Sequence, residues 1–368
     1  MPADESEISQ TAIWVAAARA IGAREPDPVA RNPDRLAERL LGDPSQLSLR
    51  HPVVEALGRS YEQAMQDIEV ADLVRAMTER TRFIDEALER AVSNGITQCL
   101  ILGAGFDSYA YRCQPLLAHV RIFEVDRPQT SAFKRRRVAA ALGGPPANLT
   151  YIATELEREE LSDALIRHGY DPSQLTFAIM EGVSMYVQEE PLRATLRFFG
   201  THAPGSSIVF DFATRAMIDG LKALDIAKIP PPARASLERF LNVIRLEPWV
   251  FGIPLGSERE FLMGLGLALR RLLTIGSEES VRRYLTRADG TTVGAEAHAR
   301  AEALRSSMQQ RMTAALDPAQ RERAEAAIHE QARQSAYQIA EAGTLGDPGA
   351  ACGPDAGRGP GTARGPDG

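Results

Sequence analysis

Five short apolar runs, each closed by turn-forming or charged residues, divide the middle of the chain: Gln98–Leu102, Arg121–Val125, Leu149–Ala153, Thr176–Met180 and Ser207–Phe212. Runs of this length are strands rather than helices. Their apolar character is continuous, as strands covered on both faces require. The connections are long enough for helices, so the pattern predicts an α/β fold with a largely parallel sheet. Upstream, Thr11 to Ile21 reads as one helical segment. From Asp67 to Ala91, residues such as Val70, Val74, Met77, Ile84, Leu88 and Ala91 recur near the helical period, with a break expected around Thr78. Asn94-Gly95 ends that helix, because both residues tolerate the left-handed cap conformation.

Downstream the pattern loosens. Residues 215–245 read as inserted helices interrupted by Pro230-Pro231-Pro232. An insertion after the fifth strand lies over the carboxyl ends of the strands, where open α/β sheets bind ligands. Leu267–Ile275 is a candidate sixth strand, and Ser335–Ala342 a last strand at the sheet edge. Between them, 294–330 is rich in Ala, Glu, Arg and Gln, with Leu304, Met308, Met312 and Leu316 spaced by four. Asp317-Pro318 followed by Gln320 marks a new helix start. From Gly346 on, Gly, Pro and Ala dominate without an apolar pattern, so a disordered tail is expected over 346–368. The organisation is an N-terminal helical cap region, 1–95, then an α/β domain, 96–345, with helical insertions near 215–245 and 294–330, then the tail.

Composition narrows the classes. The chain has 368 residues with 44% hydrophobic and 25% charged content, ordinary for a globular protein. A net charge of −7 speaks against a general nucleic-acid binder, since phosphate contact needs basic surface. The three cysteines, 99, 113 and 352, form no Cys-x-x-Cys, and Cys99 is a small core residue in an apolar run. The acidic start lacks an apolar signal region, and no run of about 18 apolar residues offers a membrane span. A cytoplasmic protein is expected. The histidines form no metal-spaced pair, and neither a Gly-x-Ser-x-Gly elbow nor a Gly-x-x-x-x-Gly-Lys loop occurs, so no metal site is expected.

The chemistry concentrates at the strand ends. The first apolar run closes on Gly103-Ala-Gly105, and the second ends in an acid, Asp126, 21 residues after Gly105. Glycines let backbone approach a nucleoside, and an acid ending the next strand accepts hydrogen bonds from ribose hydroxyls. Glu124, on the same face, is the alternative acid. Asp107 and Ser108 are placed to cap the helix read over Ala110–Leu117. A dinucleotide loop would want a third glycine or alanine where Ser108 stands, and no Tyr-x-x-x-Lys pair occurs; a nicotinamide-dependent oxidoreductase is the weaker reading. Glu181 follows the fourth run and faces the crevice of such a sheet. Arg80 and Arg82 precede the first, and arginine clamps carboxylates in bidentate geometry.

Taken together, Thr81-Arg-Phe-Ile-Asp-Glu86, Leu102-Gly-Ala-Gly-Phe-Asp-Ser-x-Ala-Tyr-Arg112, Phe123-Glu-Val-Asp-Arg-Pro128, Glu181-Gly-Val-Ser-Met-Tyr186 and Glu247-Pro-Trp-Val-Phe-Gly252 resemble the leucine carboxyl methyltransferase-like family. More narrowly, they resemble its bacterial, actinobacterial branch of S-adenosyl-L-methionine-dependent methyltransferases. The resemblance covers roughly residues 75–285. It implies a class I methyltransferase fold, Rossmann-like and seven-stranded with the last strand antiparallel. S-adenosyl-L-methionine would lie across the strand ends. By the same resemblance, Arg80 holds the methionine carboxylate, Gly103 and Gly105 sit against the cofactor, Asp126 binds the ribose hydroxyls, and Glu181 faces the methionine part. Glu155-Leu156 stands where the family shows Asp-Leu beside the adenine.

The implied reaction is O-methylation of a small-molecule carboxylate or hydroxyl. A carboxylate acceptor needs no general base, whereas a phenol or alcohol does. No base is identifiable from sequence. Tyr186 and Arg112 are candidates for positioning the acceptor, and the N-terminal and inserted helices for enclosing it. A non-catalytic cofactor-binding protein remains a further alternative, and the oligomeric state is not readable.

Overall fold

The computed structural model describes residues 9–44, 47, 51–154, 161–224, 234, 238, 241, 242, 245, 247–313 and 318–345. Glu155, Leu156, the Pro230–Pro232 interruption and the 346–368 tail lie outside them.

Seven strands form one sheet: β1 (Gln98–Leu102), β2 (Arg121–Asp126), β3 (Leu149–Ala153), β4 (Thr176–Met180), β5 (Ser207–Ala213), β6 (Leu267–Thr274) and β7 (Tyr337–Thr344). Their spatial order is β3-β2-β1-β4-β5-β7-β6. The first five pair in parallel, while β7 runs antiparallel to both β5 and β6. β7 is therefore not the edge strand its sequence predicts, because β6 lies outside it. Glu341 within β7 is 4% exposed and is met by Arg90 at 2.6 Å and Arg271 at 3.9 Å.

Alternate strand residues enter opposite cores, as the pleat dictates. Leu100, Leu102, Phe123, Val125, Ala178, Met180 and Phe210 build one core, and Cys99, Ile101, Ile122, Phe177, Ile179 and Val209 the other. The 26-residue helix Ile68–Ser93 joins the second core to the N-terminal helices. Val70, Val74 and Met77 pack with Ile13, Ala17 and Ile21 of the helix Gln10–Gly22. Phe83, Ile84, Ala87 and Leu88 cover the sheet. There is no break at Thr78, whose hydroxyl returns to the Val74 carbonyl at 2.8 Å within the helix. At the C-terminal end Gly95 takes the left-handed conformation (φ +85°), whereas Asn94 keeps φ −84°.

The segment read as one helix over Ala110–Leu117 is two short turns, Tyr109–Arg112 and Gln114–Leu117, separated at Cys113. Asp107 caps the first through the Tyr109 amide at 3.2 Å. Ser108 does not cap it; its hydroxyl donates to Asp34 at 2.5 Å. In the first insertion, the helix Arg215–Ala223 starts at Thr214, whose hydroxyl accepts from the Met217 amide. The second insertion forms helices Ala295–Thr313 and Pro318–Gln334. No helix among the described residues is long and apolar enough to cross a membrane.

Candidate cofactor and acceptor site

Strand order reverses between β1 and β4, so the connections leaving these two strands diverge and open a crevice at their carboxyl ends. A cavity of about 640 Å³ occupies it, a volume typical of small-molecule sites. Gly103, Gly105, Asp126, Glu181 and Arg80 all line it; Glu155 and Leu156 lie outside the described residues.

The glycine loop is dictated by local geometry. Gly103 has φ +63°, and a Cβ there would stand 2.3 Å from Val183 Cγ2. Gly105 has φ +44°, with Ala12 of the N-terminal helix 3.3 Å from where its Cβ would be. Asp126 fastens the loop to the end of β2. One carboxylate oxygen accepts from the Gly105 amide at 2.5 Å and the other from the Arg127 amide at 2.7 Å. Burial pushes the Asp126 carboxyl up, and those two amides oppose the shift. Thr130 is buried on the same wall, and its hydroxyl has no protein partner among the described residues.

Glu124 is turned away from the cavity. It lies under the loop with Lys134 at 3.0 Å and the Tyr111 hydroxyl at 3.2 Å. Burial raises its carboxyl to about 7 against the pull of Lys134. Lys134 also meets Asp107 at 3.3 Å and the Ala104 carbonyl at 3.4 Å. The two acids share a face of β2 but differ in depth: Asp126, at the strand end, lines the cavity, and Glu124 is not among its lining residues.

At the other side of the loop, Glu181 meets Arg80 at 2.7 Å and Arg19 at 3.8 Å. Burial alone would raise its carboxyl, but the two guanidinium charges hold it below the ordinary range. Arg80 donates as well to Asp211 at 2.7 Å and to the Tyr337 hydroxyl at 2.8 Å, and Asp211 accepts from the Gly182 amide at 2.7 Å. Arg19 is held by Asp34 at 2.9 Å and the Phe106 carbonyl at 2.7 Å.

Of the two positioning candidates, Tyr186 lines the cavity and Arg112 does not. Arg112 instead forms a bidentate pair with Asp85, at 2.8 and 2.5 Å. Sequence reasoning missed Arg19, Asp211, Tyr337 and Glu247 as site residues. Asp211 carried a usable signal, an acid inside the apolar run Ile208-Val-Phe-Asp-Phe212. Arg19 carried none, since an arginine in an alanine-rich helix reads as solvent-facing.

Aromatic residues also line the cavity. Trp249 stacks on Tyr337 at 6.5 Å between centroids and meets Tyr186 edge-on at 6.4 Å. Trp14 and Met217 also line the cavity, so the N-terminal helix and the first insertion both contribute to its wall.

Residues 12–200 match the leucine carboxyl methyltransferase family. A provisionally named S-adenosyl-L-methionine-dependent methyltransferase of Mycolicibacterium smegmatis is 32% identical over 204 residues, covering 55% of this chain and 66% of that one. One from Mycolicibacterium vanbaalenii is 32% identical over 222 residues, covering 56% and 67%. The chain thus spans about two thirds of the length of these relatives. Among solved structures, a provisionally named methyltransferase from Thermobifida fusca is similar at 15% identity, covering 88% of this chain and 97% of that one with a TM-score of 0.44. The chain belongs to the leucine carboxyl methyltransferase family and is an S-adenosyl-L-methionine-dependent methyltransferase.

Proposed function

We propose that the protein methylates an oxygen atom of a small molecule enclosed in this cavity. One observation carries the reading. The glycine loop with Asp126 and the aromatic residues around Trp249 line a single cavity, which supports a reading in which methyl donor and acceptor meet there. The bound cofactor supplies an electrophilic sulfonium methyl, and the protein's part is to align the acceptor with it and exclude water.

The residues fit the cofactor by their chemistry. Asp126 presents a carboxylate to ribose hydroxyls, and the unpartnered Thr130 hydroxyl lies on the same wall. Gly103 and Gly105 line the cavity with bare backbone that a cofactor can approach. Arg80 suits the methionine carboxylate and Glu181 its ammonium group, each already held in place by a buried partner. Glu155 and Leu156 remain the proposed adenine contacts. A cytoplasmic setting agrees with the free thiols of Cys99 and Cys113.

Calorimetric titration with S-adenosylhomocysteine and with NADH tests the cofactor half. Binding of the former without the latter is expected; NADH binding without S-adenosylhomocysteine binding would overturn the reading. Labelled methyl donor with a panel of acids and phenols tests transfer itself, and cofactor binding without transfer to any acceptor would favour a non-catalytic role.

A further inference from the structure

We infer, resting on the proposed cofactor site, that Glu247 is a positioning residue for the cofactor: it latches the first turn of the helix Gln10–Gly22 beside the glycine loop and so sets how fast the cofactor leaves. Ser9, Thr11, Ala12, Val15 and Arg19 of this segment all line the cavity. Arg19 is fastened there, donating to the Phe106 carbonyl at 2.7 Å and held by Asp34 at 2.9 Å. From Ile13 onward the helix is also fixed by packing, since Ile13, Ala16, Ala17 and Ile21 belong to the N-terminal core. Before Ile13 only the partly buried Ala12 packs against that core. The first turn therefore depends on hydrogen bonds at the helix start.

A helix start leaves its first amides without an intrahelical acceptor. Ser9 takes one, its hydroxyl accepting from the Ala12 amide at 3.1 Å. Glu247 takes another and fixes the cap itself. Its Oε2 accepts from the Thr11 amide and the Ser9 hydroxyl, both at 3.1 Å, and from the Thr11 hydroxyl. A carboxylate is favoured at the positive end of a helix, and hydrogen bonds to it are stronger than neutral ones. Glu247 has an anchor of its own: three residues on, the Val250 amide donates to the Met185 carbonyl at 2.7 Å. The latch thus ties a helix end to a segment held beyond β4.

The latched turn borders the glycine loop. Ala12 stands 3.3 Å from where a Gly105 Cβ would be, and the Gly105 amide is the one that Asp126 accepts from. Arg127, directly after Asp126, has its guanidinium 3.8 Å from Glu247 Oε1. Glu247 therefore gathers the helix start and the end of β2 around the part of the cavity where the ribose is proposed to lie. A ligand lodged there leaves when a bordering segment gives way, and helix ends open at far less cost than the packed core.

Kinetics and hydrogen exchange on the full chain test this, with S-adenosylhomocysteine as the probe. The protein's two tryptophans, Trp14 and Trp249, both line the cavity, so stopped-flow fluorescence reads binding without a label. Glu247→Ala should raise the dissociation rate about tenfold while the association rate stays within about threefold, because the latch acts on the closed site. Glu247→Gln should stay within about threefold of the wild-type dissociation rate, since the partners of Oε2 are neutral donors that an amide oxygen also satisfies. Ser9→Ala, which removes the cap but spares the carboxylate, should raise the rate about threefold. Amide exchange over residues 9–15 should be slowed by S-adenosylhomocysteine in wild type and be faster in ligand-free Glu247→Ala. An unchanged dissociation rate in Glu247→Ala, or a Glu247→Gln no slower than Glu247→Ala, overturns the inference. So does a raised rate with unchanged exchange over 9–15, which would make Glu247 a direct ligand of the cofactor. Should Glu247→Ala fail to fold, Ser9→Ala decides by the same two readings. Wild type that binds no S-adenosylhomocysteine sinks the proposed cofactor site itself, while binding with those negative results sinks only the latch.

Discussion

Asp126 and Glu124 sit two residues apart on one face of β2, yet their environments give them different work. Asp126 ends the strand, ties down the glycine loop through the Gly105 amide and fronts the cavity. Asp126→Ala should weaken S-adenosylhomocysteine binding by about 1–3 kcal/mol in calorimetry, because ribose hydroxyls lose their acceptor in a desolvated site. Glu124 is buried beneath the loop, and its carboxyl is raised from the ordinary 4.5 to about 7 by desolvation. A raised carboxyl means the folded state holds a proton that the unfolded state has released. The stability it contributes is complete below about 4.5 and is lost as the pH rises through about 7. Thermal denaturation across that window should show wild type losing stability relative to Glu124→Gln as the pH rises; parallel profiles would remove Glu124 from the account. Both acids were visible in the sequence, but their order of importance was not, since depth below a strand end is a property of the assembled sheet.

At the scale of elements, the buried Arg80 joins three pieces of chain that are distant in sequence. It sits in the long helix Ile68–Ser93, meets Asp211 of β5 and Tyr337 of β7, and reaches Glu181 after β4. Removing Asp211 leaves Arg80 and the Gly182 amide short of a buried partner. Asp211→Ala should therefore cost about 3–5 kcal/mol in chemical denaturation, the usual penalty for splitting a buried ion pair. A loss under 1 kcal/mol would mean that Glu181 alone satisfies Arg80. The strands themselves were legible: β1 and β4 match their apolar runs, because burial on both faces writes a continuous apolar stretch, and the half-buried β3 matches its run as well. β7 was legible as a strand but not in its place, since a chain that returns antiparallel between β5 and β6 leaves no local mark of its neighbours.

For the whole molecule, the helix Ile68–Ser93 contributes to both the N-terminal core and one core of the sheet, so the cap and the sheet share packing across residue 95. Cofactor binding between them should stabilise the molecule as a unit. At a ligand concentration of 100 times its Kd, S-adenosylhomocysteine should add about 2.7 kcal/mol of stability, read as a rise in Tm that NADH does not produce. A Tm unmoved by saturating S-adenosylhomocysteine would contradict the site. By itself the sequence determined the α/β class, the strand positions, the glycine loop and the acid at the end of β2. Each follows from local rules of periodicity and backbone freedom that hold wherever the segment ends up. Tertiary structure decided which side chains share the cavity. It set Arg112 against Asp85, buried Glu124, drew in Arg19 and Asp211, and brought Glu247 to Ser9 and Thr11 across more than 230 residues. Those pairings depend on the order in which strands lie side by side and on how helices close over their ends, and no local pattern encodes either.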